Sequence, residues 1–591
     1  MIPMRKCVSL IAALLFLSPV LAHAQPQPAL RWVPWSDAVF AQARQQHKFV
    51  LLDLEAVWCH WCHVMDDVTY KDLAVIRLLN AKYILVKVDQ DGRPDISNRY
   101  QDYGWPATVV FNANGGEIVK RQGYIPPRPM ASMLQAIIDD PSPGPSVEKD
   151  TPITYSSTAN FSAQTLTQLN KNYDAQYDVA AGGWGFSHKY LDGDSVEYSL
   201  RLAAQGDLLY QKRSQETLHN ALKLLDPAWG GAYQYSVSGN WNEPHFEKLI
   251  LIQSQFLREY SLAYAQSHQQ DYLNAVHSVH KYIRDFLSDS ATGAFYVSQD
   301  ADLTDSEENE SYFRIDDKGR RAKGIPRIDK HVYARENGWM IAALCQVYAN
   351  TGDATALNEA DRAATWIIAN RGLTGFGFRH DEHDSAGPYL GDSLAMGQAM
   401  LALYAVTGER RWLDAAELTR TFIAAHFAPR GRGGFLTAVA TTQKPDRDEN
   451  IALARFANLL AHYSGNAADH ATAEQAMRFL ATKEIALRPL SAGVLLAQNE
   501  FTTEPLHITI LGAHSDPAAR VLHRTALASL TNYERLEWRD PADKNPVPTD
   551  VTYPTLTHAA AFLCTATACS SPITRPEELQ ARISHALAAH K

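Results

Sequence analysis

From about residue 160 to residue 485 the chain repeats one pattern. Stretches such as "FEKLILIQSQFLREYSLAYAQS", "GWMIAALCQVYANTG" and "ATALNEADRAATWIIANRG" place apolar residues three and four apart, the spacing of an amphipathic helix. Roughly eleven such stretches follow one another, in pairs joined by gaps as short as "TGD" and "TGERR". Each helix has one apolar side to bury, and repeated antiparallel pairs bury it against their neighbours. Eleven or twelve helices in hairpins fit a closed ring, an (α/α)6 toroid, over residues 159–487.

The chain has 591 residues, which at about 150 per domain allows three or four domains. Net charge is -10 and no long basic run occurs, so nucleic acid is not an expected partner. The start, "MIPMRKCVSLIAALLFLSPVLAHAQ", has a short positive region, an apolar run from Val8 to Ala22, and Ala22-His23-Ala24. It reads as a secretory signal peptide, residues 1–24, cut after Ala24. The run is shorter than the ~20 residues that span a bilayer, and it contains Pro19. The expectation is a periplasmic or secreted protein with no membrane attachment after cleavage. Cys7 precedes the apolar run and is not placed like a lipoprotein cysteine. Of the other cysteines, Cys345 sits in an apolar helical pattern and reads as a buried free thiol. That leaves two close pairs, Cys59/Cys62 and Cys564/Cys569.

Residues 25–140 read differently from the ring. "KFVLLDLEAV" is a strand, the stretch after Cys62 has a helical period, "ILVKVDQ" is a strand, and "YGWPATVVFNANGGEIVKRQG" is a hairpin. "RPMASMLQAIIDD" closes with a helix. The order β-α-β-β-β-α, with C-x-x-C where a strand meets a helix, is the thioredoxin arrangement. At a helix start the free N–H groups favour an anion, and such dithiols have thiol pKa values lowered to about 3.5–7.5. Cys59 is expected to be the exposed attacking thiol and Cys62 the resolving one. His60 would stabilise the thiolate when protonated, and Asp53 would move protons for Cys62. Trp58 reads mainly as packing. The rival readings are a structural disulfide, a c-type haem attachment and a zinc site. Haem needs a well-placed axial ligand, and Met65 is badly placed. Zinc would need Cys59, His60, Cys62 and His63 to converge within five residues, whereas tetrahedral sites draw on two separated pairs. No metal and no cofactor are expected.

The stretch "LLDLEAVWCHWC" resembles the thioredoxin active-site strand, with Asp53 where thioredoxins keep a buried acid. "GWPAT" resembles the loop whose cis-proline faces the dithiol, which would make Pro106 that proline. More narrowly, "CHWCHVM", "KVDQDGRPDI" and "GWPATVVF" resemble the thioredoxin-like domain of the spermatogenesis-associated protein 20 family. That resemblance implies a redox domain followed by a helical toroid. "WNEPHFEKL" and "FYVSQDAD" are also similar to the family. "GGWGFSHKY" departs from it, with His188 where proline is expected. Cys564 and Cys569 resemble a cysteine pair of the family, and export would favour a disulfide between them. An exchange role towards Cys59 is the other reading.

The (α/α)6 fold is shared by many glycoside-processing enzymes and sugar 2-epimerases, and the connections between the helices are rich in aromatic and acidic residues. In a toroid they gather at one end of the ring. Candidate pocket residues are His188, Trp241, His245, Glu247, Asp300, Asp302 and Asp392: carboxylates for glycoside hydrolysis, histidines for acid/base work. Bland readings stand beside these. Pro244 reads as the first residue of a helix, which would leave Glu247 only stabilising its dipole. Asp300 and Asp302 would only fix a turn. A proline- and serine-rich linker (141–158) and a small C-terminal α/β cap (488–591) complete the expected chain. Three functions fit: a thiol-disulfide oxidoreductase acting on protein thiols, a carbohydrate-active or carbohydrate-binding toroid with a redox accessory, and a non-enzymatic scaffold for exported proteins.

Overall fold

The computed structural model describes residues 1, 29–148, 153–304, 310–384, 386–429, 433–439, 444–528, 531–543, 551–565 and 568–589. Apart from Met1, the signal-peptide assignment and Cys7 lie outside the described residues. No helix among the described residues is long and apolar enough to cross a membrane.

The front domain is thioredoxin-like. Its elements are β1 (Trp32–Val33), α1 (Asp37–Gln46), β2 (Phe49–Glu55), α2 (His60–Val64), α3 (Leu73–Lys82), β3 (Tyr83–Asp89), α4 (Pro94–Tyr100), β4 (Ala107–Phe111), β5 (Glu117–Gln122) and α5 (Pro127–Asp139). The sheet order is β1-β3-β2-β4-β5, with β2 parallel to β3 and antiparallel to β4. Strand β2 is central and buried on both faces, which is why its sequence is almost uninterruptedly apolar. Leu51 packs into one core with Met65, Val75 and Leu134, while Val50, Leu52 and Leu54 pack into the other. Helices α1 and α4 and strand β1 were not part of the order read from sequence. The single helix expected after Cys62 is broken. A π turn, Met65–Thr69, follows α2, and α3 starts afresh because Asp72 accepts from the amides of Ala74 and Val75. Val68 and Leu73, which belong to the helical period of that stretch, are exposed.

The middle of the chain is a toroid. Its helices are α6 (Ala163–Ala175), α7 (Gly193–Ala204), α8 (Leu208–Ala221), α9 (Ile250–Ser267) and α10 (Gln270–Tyr282). Two short helices, α11 (Glu310–Phe313) and α12 (Asp317–Lys323), lie in a connection. Then come α13 (Ala334–Thr351), α14 (Ala354–Arg371), α15 (Leu390–Thr407), α16 (Arg410–His426), α17 (Arg447–Ser464), α18 (Ala467–Leu480), α19 (Lys483–Ala486) and α20 (Ala492–Thr502). Six of them pack in sequence as an inner ring: α7 on α9, α9 on α13, α13 on α15, α15 on α17, α17 on α20, and α20 back on α7. Each has an outer partner: α8, α10, α14, α16, α18 and, for α20, α6. The ring therefore runs past residue 487, its expected end, because α20 is the helix that closes it. The connections carry two-residue strands β6 (Tyr235–Ser236), β7 (Pro244–His245), β8 (Lys248–Leu249), β9 (Ser298–Gln299) and β10 (Ile328–Asp329).

The two ends of the ring are covered by different domains. The front domain touches the connections that lead into the inner helices: Asn98 Nδ2 reaches Thr437 Oγ1, and Gln101 Nε2 donates to Asp446 at 2.8 Å. The C-terminal unit is a sheet of β11 (Leu506–Leu511), β12 (Glu534–Arg539) and β13 (Ala560–Cys564), with α21 (Pro517–Leu527) and α22 (Pro576–Ala589). It sits at the far ends of the same helices, where Tyr463 Oη accepts from the Leu536 amide at 2.8 Å and Arg524 donates to the Tyr348 carbonyl. Strand β13 was not expected. Along the ring axis runs a cavity of about 360 Å³, lined from all six inner helices by residues such as Gln255, Trp339, Gln398 and Arg455.

Where α13 crosses α15, Gly338 lets the backbones close: a Cβ there would lie 2.5 Å from the Ala395 carbonyl carbon. Gly338→Val is expected to force the two inner helices apart and cost about 1–3 kcal/mol, measured by urea denaturation. An unchanged midpoint would contradict this crossing.

Candidate functional site

The motif lies where β2 ends and α2 begins. Cys59 and Cys62 are joined as a disulfide. Cys59 caps the helix with its sulfur, accepting from the Cys62 amide at 3.1 Å. Trp58 donates from its indole Nε1 to Asp91 at 2.7 Å and meets Trp105 edge-on at 6.0 Å. The Trp105–Pro106 bond is cis, and Trp105 packs on the cysteine cluster.

Cys59 is not the exposed thiol that its place at a helix start suggests. It is 4% exposed and Cys62 is 3% exposed. The cause is the toroid. Leu249, from β8 at the ring mouth, packs on Ala56, Trp58, Cys59 and Cys62 together with Trp105. The exposed member of the motif is Trp61, 40% exposed and stacked on Tyr124.

The two histidines of the motif turn towards the ring. His60 Nδ1 lies 2.9 Å from Oδ1 and 3.0 Å from Oδ2 of Asp302. His63 Nδ1 lies 3.1 Å from Oδ2 of the same carboxylate, and its Nε2 lies 3.1 Å from the Val57 carbonyl. Arg327 Nη2 donates to that carbonyl at 2.5 Å. Asp300 joins the group, with Oδ2 3.9 Å from His63 Nε2. Burial pushes the Asp300 carboxyl up to about 6, offset in part by His63. Burial acts on Asp302 too, but hydrogen bonds from His60 and His63 outweigh it and hold that carboxyl below the ordinary range. Asp302 donates its amide to Asp300 Oδ1 at 3.0 Å, so these aspartates both fix a turn and reach across to the other domain.

Asp53 is buried on the Leu51 side of β2. Lys87 Nζ is 3.6 Å from it, 2.8 Å from Glu55 and 2.6 Å from Asp66. Burial pushes the Asp53 carboxyl up to about 7; Lys87 opposes the rise, and Glu55 and Asp66 add to it. A carboxyl that titrates near neutrality suits proton transfer.

The toroid candidates divide. His245 stacks on Tyr235 at 4.5 Å, with Glu247 3.8 Å away. Burial drives its pKa down to about 4, with His60 and His188 adding to the fall. His188 is exposed and meets Tyr235 edge-on. Pro244 lies in β7 and the helix starts only at Ile250, so Glu247 is not in a first helical turn; it is a buried residue of the mouth, 4% exposed. Trp241 is no pocket aromatic: it is 2% exposed and its indole donates to the Gly182 carbonyl at 2.8 Å. Asp392, on α15, accepts from the Arg335 amide at 2.9 Å and faces His380 Nδ1 at 2.8 Å. His380 Nε2 in turn lies 2.7 Å from the Asp91 carbonyl, a second bridge between the domains. Cys345 is buried and unpaired. Cys564 and Cys569 form a disulfide in the cap. An 18-residue inner helix of about 27 Å separates the cap's end of the ring from the dithiol's, so the cap pair is not an internal partner for Cys59.

The reading of single residues missed His380, Arg327, Leu249 and Lys87. Nothing local marks them, since each acts across more than one element. His63, weighed only as a haem or zinc ligand, did carry a signal: it stands three residues after His60, on the same helix face.

Comparison with known proteins finds the same division. Residues 15–139 match a family described as a protein of unknown function, DUF255, and residues 247–483 match the beta-L-arabinofuranosidase GH127 catalytic domain. Human spermatogenesis-associated protein 20 is 26% identical over 311 residues, 46% of this chain and 39% of that protein. Uncharacterized protein B0495.5 of Caenorhabditis elegans is 25% identical over 317 residues, 48% of this chain and 43% of that protein. These matches thus span less than half of the relatives' length. The thiol:disulfide interchange protein DsbD of Campylobacter jejuni is 31% identical over 93 residues, 15% of this chain and 16% of that protein. Among solved structures, the cellobiose 2-epimerase of Spirochaeta thermophila has a TM-score of 0.44 at 10% identity, covering 57% of this chain and 95% of that one. The resemblance to spermatogenesis-associated protein 20 read from the motifs is shown by the curated relatives.

Asp53 holds its proton more tightly folded than unfolded, near 7 against an ordinary 3.8. Stability is therefore lost as pH rises from about 4 to about 7. Asp53→Asn removes that loss: at pH 8 the variant is expected to withstand more urea than wild type, and at pH 4 the difference should vanish. A variant weaker than wild type at both pH values would contradict the assignment.

Proposed function

We propose that this protein is an exported thiol-disulfide oxidoreductase whose Cys59–Cys62 couple works at the mouth of its toroid. The observation that carries the reading is the joined cysteine pair at the β2–α2 junction of a thioredoxin-like sheet, with the Cys62 amide on the Cys59 sulfur. In the reduced protein the Cys59 thiolate attacks one sulfur of a substrate disulfide. A mixed disulfide forms and one substrate thiolate leaves. The Cys62 thiolate then attacks Cys59, the second substrate thiolate leaves, and the protein is oxidised. The reverse sequence oxidises a substrate dithiol, and the potential of the couple sets the direction. Asp53 takes the Cys62 proton.

Burial of Cys59 under Leu249 and Trp105 shapes this chemistry. A protein substrate reaches the sulfur only when the ring mouth gives way, and Trp61 and Tyr124 offer the apolar edge at which it would arrive. The toroid then decides which thiols are served. Export rests on the leader pattern of residues 1–24, and cell fractionation checks it: the mature chain should be found outside the cytoplasm.

Insulin reduction and oxidation of reduced ribonuclease test the exchange. Cys59→Ala should lose all activity, and Cys62→Ala should accumulate mixed disulfides with its substrates. Wild type and Cys59→Ala behaving alike would overturn the reading.

A second reading has its own support. The match of residues 247–483 to a GH127 catalytic domain and the axial cavity of about 360 Å³ favour a carbohydrate ligand inside the ring. A thermal-shift screen with sugars should then raise the melting temperature of wild type and not of Trp339→Ala, whose indole lines the cavity. No shift with any sugar would count against it.

A further inference from the structure

We propose that His63, Asp300 and Asp302 form a divalent-cation site that ties the redox domain to the toroid. The sequence argued against metal because Cys59, His60, Cys62 and His63 crowd into five residues. The structure supplies the missing second pair from a point 239 residues further along the chain.

The His63 ring holds its hydrogen on one nitrogen. Its Nε2 lies 3.1 Å from the Val57 carbonyl, and a carbonyl oxygen only accepts. Nε2 therefore carries the hydrogen, and in the neutral ring Nδ1 is a bare lone pair. That lone pair faces Asp302 Oδ2, also an acceptor, at 3.1 Å. Something positive lies between them: a second ring proton, which makes His63 the donor to Asp302 described above, or a metal ion in that proton's place. A metal-bound histidine is usually held this way, with its other N–H on a backbone carbonyl.

Asp300 brings a further carboxylate to the same spot. It is 4% exposed, and its Oδ2 lies 3.9 Å from His63 Nε2, beyond hydrogen-bond reach. Candidate ligand atoms of the three side chains all lie within 4.8 Å of one another. A zinc ion bonds nitrogen and oxygen ligands at about 2.0–2.2 Å, so small side-chain shifts close the shell. Two buried carboxylates in one spot repel when ionised, and a dication neutralises both. His60 completes the arrangement from outside: its Nδ1, 2.9 Å from Oδ1 of Asp302, orients that carboxylate.

The neighbouring carboxylate group is different. Asp53, Glu55 and Asp66 also converge, but Lys87 Nζ already lies among them. At His63 the nearby cation is Arg327, whose guanidinium is taken up by the Val57 carbonyl and acts on Asp300 through its charge. One nitrogen with two carboxylates suits Zn²⁺ or Mn²⁺, with water in the remaining positions. Because the ligands come from both domains, the ion binds only the docked form and stabilises it by mass action.

The test uses the full mature chain with the Cys59–Cys62 disulfide intact, so that the sulfurs cannot chelate. Protein stripped with EDTA is titrated calorimetrically with Zn²⁺ and with Mn²⁺. One ion per chain is expected for at least one metal, with a rise in melting temperature. Asp300→Asn, isosteric and still able to accept the Asp302 amide, should weaken binding at least tenfold and abolish the rise. The Cys59→Ser/Cys62→Ser variant should bind as wild type does. The proposal is overturned if neither metal binds stoichiometrically to folded wild type, or if Asp300→Asn binds as tightly. Neither result bears on the exchange assays, which read the reduced sulfurs instead.

Discussion

The contact on which the arrangement turns is one carboxylate between two imidazoles. Asp302 comes from a connection of the toroid, and His60 and His63 come from the first turn of the helix that carries the dithiol. A buried carboxylate is costly unless charged or hydrogen-bonding groups surround it. Here two imidazoles meet it, so the thioredoxin-like domain and the ring each complete the other's buried polar chemistry. Leu249 and Trp105 follow from the same docking: once His60 and His63 face the ring mouth, apolar groups from both sides close over Cys59.

This docking changes what a thioredoxin-like sheet does. In an open dithiol the attacking sulfur is accessible, and substrate choice falls to the surface around it. In this chain both sulfurs are covered. The ring mouth, through Leu249, lies over the dithiol. The cap closes the opposite end, where the Tyr463 hydroxyl accepts from a cap amide.

Much of this was legible in the residues. The apolar run of β2, the C-x-x-C after it and the proline at 106 gave the redox domain, because strand burial and helix starts leave local marks. The 3.6-residue period gave the ring, because each helix must bury a face. What escaped was set at a distance. Exposure of Cys59 was inferred from its place at a helix start, and Leu249, 190 residues later, reverses it. Trp241 read as a pocket aromatic because composition cannot tell a loop that lines a cavity from one that plugs the wall. The closing helix α20 was assigned to the cap because its role depends on meeting α7, nearly 300 residues earlier. Asp300 and Asp302 were singled out for sugar chemistry or for a turn; the histidines that Asp302 meets come from the other domain.

The most direct test of the enclosed dithiol compares labelling by size. In a Cys62→Ala background, Cys59 is treated with iodoacetamide and, separately, with a polyethylene-glycol maleimide. Comparing the two reagents on the same sulfur separates access from thiolate character. With the Asp302 contact intact, the bulky reagent should lag far behind the small one. Adding Asp302→Asn should speed the bulky reagent more than tenfold and the small one much less. Equal labelling by the bulky reagent with and without Asp302 would contradict the account, because the ring would then not be what covers the sulfur.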